Sequence, residues 1–213
     1  EGKSYTNSDL KARKQLLKKF FLVQNLITGV DYTSKQRIMA IDTFTDGQLL
    51  FEKVRSNNSE GIIAKKVDSI WVEASRTKNW LKIKNWRYVD VILIKYDHSN
   101  GFFTGAIYIE DNVSEIVAFK HGLKGEELKA LISIFKSNGK QKGMMWELPP
   151  SICVTIACID FDGSKLREPI FHAFHHHLDP VDCNWQSMQR QLNPIPEKVA
   201  VTHPDKPVFP AMD

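Results

Sequence analysis

Glu60-Gly61-Ile62-Ile63-Ala64-Lys65-Lys66 and, after a basic loop, Trp80-Leu81-Lys82-Ile83-Lys84 decide how this 213-residue chain is read. In the first segment a carboxylate opens a short apolar run and lysines close it. A surface strand with charged ends accounts for that pattern as well as a binding strand does. On the binding reading, Glu60 lies at the strand mouth, where its oxygens can hold a hard cation such as Mg²⁺. Gly61 then lets the backbone approach a ligand closely. The second segment alternates with period two, which places Lys82 and Lys84 on one face with Leu81 and Ile83 buried behind them. Adjacent ammonium groups repel unless an anion lies between them. A nucleotide phosphate is the natural guest, because the same charge stabilises phosphoryl transfer. A solvated strand face is the plainer alternative. From Ala74 to Val89 there are five cations (Arg76, Lys78, Lys82, Lys84, Arg87) and no acidic residue. Trp80, Trp86 and Tyr88 are interleaved with them, a mixture that suits a nucleic-acid backbone with stacking surfaces nearby.

Outward from this stretch, Ser8 offers an N-cap for a helix running to about Leu22, and Thr45 a second cap for a helix carrying Leu49, Leu50, Phe51 and Val54. Ile38-Met39-Ala40-Ile41 and Ile70-Trp71-Val72 read as strands. From Tyr88 onward the pattern predicts strands over 89–96, 102–109 and 115–120, a helix over 125–137, and strands over 151–161 and 169–174. Three strands, a helix and two strands is the order of an OB-fold, a five-stranded Greek-key barrel. After Pro180 the chain turns loop-like, and Pro194, Pro196, Pro204, Pro207 and Pro210 fall within 17 residues, which suits a linker.

Composition narrows the class. Hydrophobic residues make up 42% and charged residues 25%, a globular balance, and the formal net charge of +4 is too mild to prove a polyanionic partner. No apolar run is long enough to span a bilayer, and the polar N-terminus has no signal-peptide core. The three cysteines form no CxxC pair and suit free thiols in a reducing, cytoplasmic compartment. His172, His175, His176, His177 and Cys183 invite a zinc reading. Adjacent histidines diverge in direction and no four-ligand spacing completes the set, so a solvated turn is the better account.

Taken together, the Glu60–Lys66 strand, the Trp80–Lys84 strand and the barrel pattern behind them resemble ATP-dependent DNA ligases. The closest likeness is to the bacterial ligase D type that joins DNA ends. In that family the two strands are nucleotidyltransferase motifs IV and V. The resemblance implies an α+β nucleotidyltransferase (ATP-grasp-like) C-terminal subdomain over 1–87 and an all-β OB-fold barrel with one helix over 88–180. A linker and the opening of a primase-polymerase module follow over 181–213, where Thr202-His203-Pro204-Asp205-Lys206-Pro207-Val208-Phe209-Pro210 carries the likeness. It also implies that Glu60 contributes to a metal site and that Lys82, Lys84 and Lys65 bind nucleotide phosphate. Arg76, Lys78 and Arg87 would meet DNA, and Arg167 is a motif VI contact. ATP and Mg²⁺ or Mn²⁺ are the implied cofactors of the full-length enzyme. Nicked or broken duplex DNA and Ku are the implied partners, for a monomer in the bacterial cytoplasm.

Two departures matter. The family's nucleophile is a lysine in K-x-D-G, and neither Asp46-Gly47 nor Asp162-Gly163 has a lysine two residues ahead. The expectation is therefore a chain that does not adenylylate itself. Where the family's motif VI often ends in R-x-D-K, this chain has His175-His176-His177-Leu178, which weakens the case for Arg167. Two other readings stay open: a DNA-binding fragment without chemistry, and the related RNA-capping guanylyltransferases, against which the polymerase-like tail argues.

Overall fold

A computed structural model describes residues 2–26 and 35–194, and the chain divides between Asn85 and Trp86 into two units. The polymerase-like stretch Thr202–Pro210 lies outside the described residues.

In the first unit, helix α1 (Leu10–Val23) starts where Asp9 accepts the Ala12 N–H at 2.6 Å. Helix α2 (Gly47–Ser56) starts where Asp46 accepts the Leu49 N–H at 2.9 Å. Both caps fall one residue after the Ser8 and Thr45 expected from sequence. A carboxylate makes a charge-assisted bond at the positive end of the helix dipole, so the acid takes the position over the neighbouring hydroxyl. Strands β1 (Gly61–Lys65) and β2 (Trp80–Lys84) form an antiparallel ribbon, with Gly61 opposite Lys84, Ile63 opposite Lys82 and Lys65 opposite Trp80. Helix α2 packs against β1 and half-buries Leu50, Phe51 and Val54.

Three expectations for this unit need correction. Residues 38–41 are not a strand: Ala40 makes an isolated bridge, and Ile38 and Ile41 are 66% and 73% exposed. Ile70-Trp71-Val72 is not a strand either. The chain turns at Ser69, whose N–H and hydroxyl both bond the Lys66 carbonyl, and Trp71 donates its N–H to Thr6 instead of to a ladder. Leu81 and Ile83 alternate with the lysines as period two requires, yet they are 57% and 41% exposed. Among the described residues the ribbon has two strands, and both side chains stay largely open to solvent.

The second unit is a curled antiparallel sheet, OB-like in plan. Strands β3 (Arg87–Asp97), β4 (Phe102–Ile109) and β5 (Asn112–Phe119) precede helix α3 (Gly125–Asn138). Short β6 (Lys140–Lys142), long β7 (Met145–Cys158), the hairpin β8 (Asp160–Phe161) with β9 (Leu166–Arg167), and β10 (Ile170–Phe174) complete it. The order across the sheet is β10-β7-β3-β4-β5, with β6 on β7. The curl closes where the Phe171 N–H bonds the His121 carbonyl at 2.9 Å. Gly122 beside it has φ 106, and a Cβ there would strike the Phe171 backbone, so this closure needs glycine. Inside, Tyr96, Phe103, Phe119, Phe135 and Phe171 form a connected aromatic core with ring centroids 4.7–6.5 Å apart.

The chain does not turn loop-like at Pro180. A short 3₁₀ helix (Pro180–Asp182) leads into helix α4 (Trp185–Leu192), which packs on β3 and β4 and buries Met188 and Leu192. Gln191 locks it in place. Its amide donates to Asp90 Oδ2 at 2.6 Å and its oxygen accepts the Asp90 N–H at 3.0 Å, while Thr155 donates to Asp90 Oδ1 at 2.6 Å.

Candidate phosphate-binding face

The ribbon register fixes which side chains point together. Directly opposed residues of an antiparallel pair project to the same side. Lys82 and Lys84 therefore share a face with their partners Ile63 and Gly61, and with the Lys65–Trp80 pair beyond. The three lysines singled out from sequence lie on one surface. Lys65 Nζ rests over the Trp80 ring, 4.0 Å from its centroid, which orients the ammonium without neutralising it. Gly61 has φ 146, and a Cβ there would collide with the Ile83 carbonyl. The close approach that demands glycine is thus to the neighbouring strand, not to a ligand.

Sequence reading missed two further cations. Lys65 titrates below its ordinary range, first because partial burial disfavours its charge, then because Lys14 and Arg13 repel it. Both belong to α1, whose basic side looks like a solvated helix face. Helix α1 is held to the segment after β1 by hydrogen bonds. The Lys11 N–H bonds the Val67 carbonyl at 3.0 Å, and the Arg13 guanidinium donates to the Ser69 carbonyl at 3.1 Å. Only the tertiary fold brings this helix to the ribbon, so spacing along the chain carried no signal for it.

The remaining residues fall in three places. Glu60 immediately precedes the ribbon, and its carbonyl accepts the Asn85 N–H at 2.8 Å, which fixes this end against the end of β2. With one carboxylate, the donor set suits a cation that brings nucleotide phosphates and water as its other ligands, rather than a protein cage. Among the described residues no three His, Cys, Asp or Glu side chains gather into a metal-binding group. Arg76 and Lys78 are exposed on the loop leading into β2.

Arg87 is different. It lies in the second unit, 7% exposed, with its guanidinium 3.1 Å from Asp160. Arg167 approaches the other oxygen of Asp160 at 3.9 Å. A buried arginine committed to an aspartate offers little surface to a phosphate, so Arg87 leaves the set of DNA contacts. The histidine run is exposed on the surface, whereas Cys183 is fully buried in the core. No helix among the described residues is long and apolar enough to cross a membrane.

Comparison with known proteins shows what this stretch is similar to. Residues 1–84 match the ATP dependent DNA ligase domain. The chain is 30% identical over 198 residues to the bifunctional non-homologous end joining protein LigD of Bacillus subtilis, an alignment covering 92% of this chain and 32% of that protein. The chain thus spans about a third of the length of the curated relative it matches. Among solved structures it is similar to Pmar-Lig_PreS3, with a TM-score of 0.52 and 17% identity over 79% of this chain and 40% of that one. It also matches the ligase domain of M. tuberculosis LigD, with a TM-score of 0.44 and 17% identity over 84% of this chain and 61% of that one. Over residues 1–84 the chain is thus similar to the ATP dependent DNA ligase domain, and over most of its length it is similar to part of LigD.

Proposed function

We propose that this chain supplies the phosphate-gripping portion of a LigD-type DNA ligase, which in the full-length protein seals nicks during non-homologous end joining by way of an enzyme-AMP and a DNA-adenylate. The observation that carries this reading is the common face of Lys65, Lys82 and Lys84, reinforced by Lys14 and Arg13. Lys82 and Lys84 hold phosphate, that of the adenylate in the nucleotide-bound enzyme and that of the DNA backbone when nicked duplex binds this chain alone, and Lys65, fixed over Trp80, adds charge at the same surface. Glu60 would hold the Mg²⁺ or Mn²⁺ that accompanies ATP, a charge that would offset that of the phosphates. Arg76 and Lys78 extend the path for a duplex backbone, and the curled sheet of the second unit serves as the OB-fold partner domain. Ku is the proposed recruiting partner, the site of action is the cytoplasm, and the chain acts as a monomer.

The 213 residues contain no K-x-D-G, so on this reading the AMP acceptor is not among them. The test is incubation of the chain with α-labelled ATP and Mg²⁺, then denaturing electrophoresis. No labelled adduct is expected, while nicked duplex still binds in a gel shift. A covalent adduct would place a nucleophile within this stretch and overturn its assignment. A DNA-binding fragment without chemistry is a second reading. It is favoured for the isolated chain by the same missing motif, and the ATP experiment bears on it equally.

A further inference from the structure

Beside the lysine face, Ile70, Trp71, Val72, Ala74, Thr77 and Trp80 wall a cavity of about 340 Å³, with Arg76 on its lining. The Trp71 and Trp80 ring centroids are 5.7 Å apart and tilted by 57°, so the two indoles form adjoining walls rather than a closed stack. Trp71 is 41% exposed, although a large aromatic side chain gains most from burial. Ala74 turns the chain in the left-handed conformation, φ 51, where the loop bends around the opening. Trp80 belongs to both features, since the ring that lines this cavity is the one beneath Lys65. From Ala74 to Val89 the chain carries no acidic residue. Glu73 lies just before that stretch, and Asp68 is paired with Lys66 at 3.4 Å.

We infer that this cavity receives one unpaired nucleotide of a DNA strand, its base stacked on Trp71 and its phosphate drawn to Arg76, while the adjoining backbone runs onto the Lys65–Lys82–Lys84 face. The inference rests on the phosphate-face reading above and adds a preference for unpaired bases. Three properties point to this occupant. The walls are aromatic and aliphatic, which suits the flat apolar face of a base. Arg76 stands on the lining, which suits the phosphate linked to that base. The volume falls within the range of small-ligand sites, about 300–1,000 Å³, and is too small for a duplex. Stacking on a tryptophan reads no particular base, so the site takes any base that is free of its pair.

The experiment compares two DNA ligands of equal length with the whole chain: a nicked duplex with every base paired, and the same duplex with one unpaired 2-aminopurine at the nick. Wild type should bind the second more tightly and quench its fluorescence. Trp71→Ala should lose the preference, weakening the unpaired ligand about tenfold with the paired ligand unchanged, and Trp71→Phe should restore it. Lys82→Ala with Lys84→Ala should weaken both ligands together. If Trp71→Ala perturbs the fold, judged by circular dichroism, the quench seen with wild type decides the matter instead. Equal affinity of wild type for both ligands without a quench overturns this inference and leaves the phosphate face standing. Failure to bind either ligand overturns both.

Discussion

At the scale of single residues, Lys65 is the most informative side chain. Partial burial, then the charges of Lys14 and Arg13, lower its pKa from 10.5. Between the lowered value and 10.5 the unfolded chain holds the proton that the folded chain has released. The strain of this charge therefore weighs on stability below the folded pKa and is relieved as pH rises through it. A bound phosphate acts in the opposite sense, because it favours the charged ammonium. DNA affinity should accordingly fall as pH rises toward this lowered pKa, and Lys65→Arg, whose guanidinium stays charged, should flatten the fall. Binding titrations at constant ionic strength across that range check it; identical pH profiles for the two proteins would remove Lys65 from the binding face. Arg87 carries the complementary lesson. Within its own segment it is indistinguishable from Arg76, yet the aspartate that claims it lies 73 residues further on, and local composition carries no trace of that partner.

At the scale of elements, β1 and β2 as strands, and the succession of main strands and α3 in the second unit, were legible because each depends on a period local in sequence. Helix α4 was not. Its core contacts are Met188 and Leu192, one turn apart, and it sits between Pro180 and a proline-rich tail, so a helical period hardly has room to show. What secures it is tertiary: the paired hydrogen bonds between Gln191 and Asp90. Gln191→Ala leaves a half-buried carboxylate oxygen and a backbone N–H without those partners, a loss of about 1–3 kcal/mol. The urea midpoint of the second unit should drop by that equivalent with little change in slope. An unchanged midpoint would mean that α4 is held by Met188 and Leu192 alone. Strand misreadings followed from the same limitation, since residues 38–41 and 70–72 are apolar enough for strands but find no ladder among the described residues.

At the scale of the molecule, the two units differ in how much apolar surface they bury. Among the described residues Phe21 is the buried hydrophobic side chain of the first unit, whereas the second buries an extensive core from Val89 to Leu192. Burial contributes about 25 cal/mol per Å², so the second unit should be the stable one. Amide exchange should find β3 and β7 well protected and β1 and β2 opening far more readily. Comparable protection in both ribbon and sheet would contradict this ranking. The cysteines give an independent reading of the second core. All three are buried; burial pushes the Cys158 thiol up to about 11 and raises those of Cys153 and Cys183 as well. Iodoacetamide should leave the native chain unlabelled at neutral pH and label it once denatured.

The central claim is that Lys82 and Lys84 meet DNA phosphates together. The most direct test is the slope of log affinity against log salt for a nicked duplex, measured for wild type and for Lys82→Ala with Lys84→Ala. Each lost phosphate contact should make the slope shallower by about one, so the double variant should bind more weakly with a slope shallower by about two. An unchanged slope would show that these lysines do not touch the DNA backbone.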